Sequence, residues 1–245
     1  MSDQIGYLHR TDWVADRAAT MSNLAAWLGP KAAIAVPFDP ALLEENGADL
    51  EVVDEIRALF PQVPVASLEQ IARYDLPAVA VVHPMRTEPL LLRTGGLPAG
   101  KLAVVLWRPD EPIAHWAVEM SVIDLAHPKQ VPAPVAGFDV LVEGVRTIKR
   151  REGHNGISSG RGRNLSVQVL QHLQRAGYPI RPALVERAGF RAGMGVDAIE
   201  HLGGYARQLI AGHNFRTGPA VLRPEIVAIW EREAADADTD DEDLS

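Results

Sequence analysis

The sequence predicts a mixed α/β fold, with a mixed sheet in the N-terminal part, a helical C-terminal part and a disordered acidic tail. Three observations carry this. Short apolar runs alternate with helix-like segments up to Pro84, helical patterning takes over after about Asn164, and 47% of the 245 residues are hydrophobic, enough for a buried core. The expected divisions are an α/β sheet domain over 1–145, a basic glycine-rich junction over 146–165, a helical part over 166–234, and the tail over 235–245.

Taken in order, Thr11 and Asp12 are placed to cap a helix running from about Trp13 to Leu28, which Gly29-Pro30 stops. KAAIAVPF (31–38) reads as a buried strand, Leu50–Leu59 as a helix ended by Pro61, VPVAS (63–67) as a short strand, Leu68–Arg73 as a helical turn or two, and PAVAVVH (77–83) as another strand. Such alternation favours a largely parallel sheet whose strands are continuous apolar runs. Beyond Pro84, Leu90–Arg93, Leu102–Trp107, His115–Leu125 and Phe138–Val145 read as strands joined by turn-rich segments, with little room for crossover helices. They are expected to pair antiparallel, and helix is the competing reading for HWAVEMSVIDL. The segments LSVQVLQHLQRAG, PALVERAG, VDAIEHLGGYARQLIAG and PEIVAIWEREAADA then read as helices, punctuated by Gly177, Gly189, Gly212 and Pro224.

Several classes are excluded or disfavoured. There is no cysteine, which removes disulfides, thiolate metal sites and a cysteine nucleophile. No apolar run approaches a membrane span, and MSDQIGYLHRTDW has neither a basic nor an apolar leader region, so a cytoplasmic protein without a membrane partner is expected.

Charge is distributed unevenly. The net formal charge is -8, yet residues 231–245 hold eight acids against one base. Residues 146–230 hold thirteen bases and five acids, whereas residues 1–145 carry ten bases and nineteen acids. The sharpest local feature is VRTIKRREGHNGISSGRGRNLS (145–166). Arg146, Lys149, Arg150, Arg151, Arg161 and Arg163, with Asn164, are candidate phosphate contacts, because glycines admit main-chain N–H groups to an oxyanion and guanidinium forks bind it bidentately. The spacing is neither that of a P-loop nor G-x-G-x-x-G. Further arginines, from Arg175 to Arg223, extend the positive region, as a surface tracking a phosphate backbone requires. A solvated basic loop, or pairing of the acidic and basic halves, are the alternatives.

Catalytic signals are thinner. Asp139 and Glu143, read at the two ends of one strand, are candidate ligands for a divalent metal in nuclease-like chemistry, although Gly144, Val145 and Arg146 follow in place of an E-x-K lysine. His154 inside the basic loop is the candidate acid or base. The eight histidines form no H-x-H or H-E-x-x-H spacing. ALVERAGFRAGMGVDAIEHLG has a helix-turn-helix flavour weakened by Gly193 and Gly195 at the start of its second helix. Asp39-Pro40 and His83-Pro84 end two expected strands, where α/β sheets bind ligands.

The leading expectation is a nucleic-acid-binding protein, nuclease-like if Asp139 and Glu143 hold a metal. The alternatives are an enzyme for a small phosphorylated or nucleotide substrate, and a regulator that binds a protein partner. The acidic tail is expected to compete with a ligand for the basic surface.

Overall fold

Six short strands, β1 (Ile5–His9), β2 (Ala33–Val36), β3 (Val65–Ser67), β4 (Leu76–Val82), β5 (Ala99–Leu106) and β6 (Ile123–Asp124), form one sheet in the order β3-β2-β4-β5-β1-β6. Every pairing in it is parallel. The computed structural model describes residues 5–29, 32–36, 47–59, 64–67, 70, 76–82, 99–106, 112–119, 123–127, 134–151 and 156–242. The chain divides into two units, 1–131 and 132–245.

In the first unit the sheet is accompanied by α1 (Arg10–Ala15), α2 (Arg17–Leu28), α3 (Gly47–Leu59) and α4 (Pro112–Glu119). Parallel strands covered on both faces need no polar alternation. Leu102 to Leu106 of β5 are accordingly all buried. One core joins Leu8, Trp13, Leu24, Ile34, Val53, Ile56 and Val105. The single helix expected over 13–28 is two helices: Asp16 leaves helical geometry (φ -145°, ψ 81°), and its carboxylate caps α2 by accepting from Ala19 N at 3.1 Å. Thr11 and Asp12 lie inside α1 and do not cap it.

Three expectations for the middle of the chain are corrected. β5 pairs parallel to both β4 and β1, because residues 83–98 are long enough for the dozen or so residues a parallel connection needs. Among its described residues HWAVEMSVIDL is mostly helix rather than strand: α4 opens on Pro112 and ends at Glu119, and Ile123–Asp124 pairs with β1. A proline suits the first helical turn, where its missing N–H costs nothing. FDVLVEG is likewise helical, within α5 (Phe138–Arg151), whose buried Phe138, Leu141, Val142, Val145 and Ile148 follow the helical rather than the strand period. This helix runs through the division expected at 145. The expected strand Leu90–Arg93 and the Asp39-Pro40 and His83-Pro84 corners lie outside the described residues.

The second unit is built from α5, α6 (Gly160–Arg175), α7 (Pro182–Arg191), α8 (Val196–Ile210) and α9 (Ile226–Glu242). Gly144 of α5 permits close helix contact: a Cβ there would lie 3.0 Å from Leu173, 3.2 Å from Val169 and 3.6 Å from Trp230. Trp230, fully buried, donates its indole N–H to Thr147 Oγ1 at 2.9 Å, and Thr147 donates to the Glu143 carbonyl at 3.1 Å. α7 and α8 form a helix, short turn and helix, with Gly193 at φ 78° in the turn. They pack through glycines as well, since a Cβ on Gly189 would meet Ile199 at 2.7 Å. The backbone of α9 continues to Glu242, and the side chains beyond residue 237, most of the expected tail, lie outside the described set. Among the described residues no helix is long and apolar enough to cross a membrane.

Candidate functional site

The basic junction is the last turns of one helix and the first turns of another. Arg146, Lys149, Arg150 and Arg151 belong to α5, while Arg161, Arg163 and Asn164 open α6. Arg146 pairs with Glu143 within α5. Arg150 reaches Glu233 at 3.3 Å and Glu143 at 3.9 Å, and Arg151 donates to the Val221 carbonyl at 3.4 Å. His154, the expected acid or base, lies outside the described residues.

The start of α6 has no side-chain cap: Ser159 at its N-cap is extended and makes no capping hydrogen bond, while the backbone of Gly156 and Ile157 lies against Gly162 in the first turn. The first-turn N–H groups and positive end of a helix suit an oxyanion. Segment 211–224 lies along the same helix: Arg163 stacks over Phe215 at 5.2 Å, Gln168 accepts from Val221 N at 2.9 Å and donates to the Pro219 carbonyl at 3.1 Å, and Arg151 bonds the same Val221. Arg216 and Arg223 of this segment are exposed, and Arg223 lines one cleft with Arg151. Neither 153–185 nor 211–224 contains a single carboxylate. At the far end, Arg150, Arg151 and Arg223 line a cleft of about 430 Å³ with Thr147, Trp230 and Glu233.

Asp139 and Glu143 are four apart on a helix, not at the ends of a strand, and each is taken by arginine. Asp139 accepts from Arg191 at 2.8 Å, whereas Glu143 is 5% exposed and faces Arg146 and Arg150. No third metal-binding side chain joins them among the described residues. The helix-turn-helix reading also weakens in detail, because Asp197 and Glu200 occupy the first turns of α8, where a reading helix would approach phosphates.

A different cluster forms at the C-terminal ends of β1 and β6, the side of a parallel sheet where ligands bind. Tyr7 pairs in register with Asp124, and Leu125 N donates to the Tyr7 carbonyl at 2.9 Å. Gly6 allows this approach, for a Cβ there would lie 2.7 Å from the Leu125 side chain. Asn23 Nδ2 donates to the Leu125 carbonyl at 2.8 Å and holds the end of β6 in place. Asp124 Oδ1 accepts from Ala126 N at 2.9 Å and His127 N at 3.0 Å, its Oδ2 lies 3.3 Å from His127 Nδ1, and Tyr7 donates its hydroxyl to the carboxylate. Ligating atoms of Asp12, Asp124 and His127 all lie within 4.8 Å of one another.

Burial, reinforced by the negative charges of Asp124 and Asp12 and by its hydrogen bond to Asp124, pushes the Tyr7 phenol up to about 12. Burial draws the His9 imidazole below its ordinary range, aided by His115 and opposed by Asp12 and Asp124. His9 Nδ1 is shut off from solvent without a hydrogen-bond partner. The sequence contained a signal for this cluster, H-x-x-D at His9–Asp12 and D-x-x-H at Asp124–His127, but only the pairing of β1 with β6 brings the two halves together. Comparison with known proteins finds no matching family model, no matching curated protein and no matching solved structure.

Proposed function

We propose that the helical unit binds a nucleic-acid strand along α6 and segment 211–224. The observation that carries this reading is that α6 and segment 211–224, neither of which holds a carboxylate, lie against each other, with Arg163 over Phe215, Arg151 bonded to Val221, and Arg216 and Arg223 exposed on that segment. A row of guanidinium groups would match the repeating charge of a phosphate backbone, and the N-terminus of α6, which has no side-chain cap, would add main-chain donors for one phosphate. Four of the thirteen bases of 146–230 are drawn to acids instead, Arg146 and Arg150 to Glu143, Arg191 to Asp139 and Arg207 to Glu186, so the interface is narrower than the sequence total implies. The nuclease-like reading of Asp139 and Glu143 is left out of this proposal, since both carboxylates are paired with arginines.

The helix end without a side-chain cap also favours a second reading, a small phosphorylated ligand held by Arg161, Arg163 and the first-turn amides. Anisotropy of labelled single- and double-stranded oligonucleotides, competed with a mononucleotide, separates the two. The nucleic-acid reading expects long strands to bind far more tightly than the mononucleotide, with Arg216→Gln and Arg223→Gln each weakening the strand. Equal affinity for both ligands, lost only on Arg161→Gln or Arg163→Gln, favours the small ligand. No binding of either at low salt removes both readings.

A further inference from the structure

The clustered side chains at the ends of β1 and β6 are not paired through arginine. Glu51, Glu143, Glu186 and Glu233 face arginines, whereas Asp124 faces the His127 imidazole and the Tyr7 phenol, with Asp12 beside them. We propose that Asp12, Asp124 and His127 bind a divalent first-row transition ion of the Mn²⁺ or Zn²⁺ kind. This goes beyond the nucleic-acid reading and does not depend on it.

Three features support the assignment. The first is spacing. Oxygen and nitrogen ligands at about 2.1 Å from one ion stand roughly 3.0 to 3.4 Å from each other in octahedral or tetrahedral geometry. His127 Nδ1 and Asp124 Oδ2 already lie 3.3 Å apart, and donor atoms of Asp12, Asp124 and His127 are all within 4.8 Å of one another. The second is rigidity. Asp124 is held by two backbone amides and by Tyr7, and its strand end is tied by Asn23, so one carboxylate is fixed before any ion arrives. The third is chemistry: the cluster joins two carboxylates to one imidazole, the mixed oxygen and nitrogen set that such ions take.

The donor set decides the class of ion. Two carboxylates alone would suit Ca²⁺ or Mg²⁺, which take oxygen ligands, but the His127 imidazole shifts preference toward Mn²⁺ and Zn²⁺. His127 is half exposed, so its side chain is free to complete the site from solvent.

The test uses the full chain, stripped with EDTA, dialysed against Zn²⁺ or Mn²⁺ and measured for bound metal by mass spectrometry, with calorimetric titration for affinity. One equivalent per chain is expected, with affinity falling at least about tenfold in His127→Ala and in Asp12→Asn. His213→Ala, an exposed histidine outside the cluster, is expected to leave affinity unchanged. Asp124→Asn also loosens the β6 turn, so the half-exposed His127 is the deciding position. Substoichiometric binding, affinity unchanged in both His127→Ala and Asp12→Asn, an equal loss in His213→Ala, or binding of Mg²⁺ or Ca²⁺ in preference to Zn²⁺ and Mn²⁺ would each overturn the assignment.

Discussion

Replacing Glu143 separates a structural anchor from a metal ligand. Its carboxylate, 5% exposed, sits on α5 between Arg146 and Arg150. Breaking a fully buried ion pair costs about 3 to 5 kcal/mol because the stranded charge stays out of water. Here the two arginines are 42% and 58% exposed and can turn to solvent, which removes most of that penalty. Glu143→Gln keeps the shape and one acceptor, so the loss is the difference between charge-assisted and neutral hydrogen bonds, about 1 to 2 kcal/mol. For a unit of this size that lowers Tm by about 4 to 8 °C. Asp139→Asn, on the exposed surface, is expected to cost under about 0.5 kcal/mol. Thermal and urea unfolding with and without divalent ions reads both variants. If Glu143→Gln leaves Tm unchanged or raises it, or if the two variants behave alike and only in the presence of metal, the anchoring argument fails.

Other consequences concern packing, protonation and the terminus. Gly203→Ala places a Cβ 2.0 Å from the carboxylate of buried Glu186 and is expected to destabilise by about 1 to 3 kcal/mol. The neighbouring Gly204→Ala meets nothing within 4 Å and should instead stabilise by up to about 1 kcal/mol, so urea midpoints shifting in the same direction would contradict the α7–α8 contact. Burial, and then Arg175, lower the His172 pKa, so the unfolded chain takes up its proton first and stability falls as pH drops through the ordinary histidine value of 6.5. Unfolding free energies from pH 8 to pH 5 should show that loss in the native chain and a shallower one in His172→Gln; identical profiles would count against it. A truncation meant to test the acidic terminus belongs after residue 237, because Ala234 is buried and Glu233 pairs with Arg150. Removing residues 238–245 deletes five acids and no base, and should tighten oligonucleotide binding roughly threefold or more at low ionic strength, where charges act over about 30 Å. Unchanged affinity would make the tail a solubilising end only.

The C-terminal helices were legible because their apolar positions and glycine stops agree, as at VDAIEHLGGYARQLIAG, which is α8 within a residue or two of its expected ends. The strands β2, β3 and β4 were legible as continuous apolar runs. β1 was not: Ile5–His9 is short, carries Gly6 and a histidine, and owes its place to β5 and β6 on either side rather than to local propensity. Phe138–Val145 misled because valines at 140, 142 and 145 favour strands locally, whereas packing against α6 and Trp230 at Gly144 selects helix. The phosphate-contact arginines could be found by composition, but their acid partners could not. Glu233 lies far from Arg150 in sequence, and Asp124 is far from Asp12, so both groupings exist only after folding.

The central claim is that four guanidinium groups on one surface of the helical unit meet successive phosphates, and the salt dependence of oligonucleotide binding tests it most directly. Four contacts predict a slope of log affinity on log salt of about -3.6 for duplex and about -2.8 for single strands. Between 50 and 200 mM salt that is a loss of about 150-fold and about 50-fold. Replacing Arg151, Arg163, Arg216 and Arg223 together by glutamine should bring the slope close to zero, each residue contributing roughly one unit or slightly less. A native slope shallower than about -1, or a fourfold variant with the native slope, would contradict the claim.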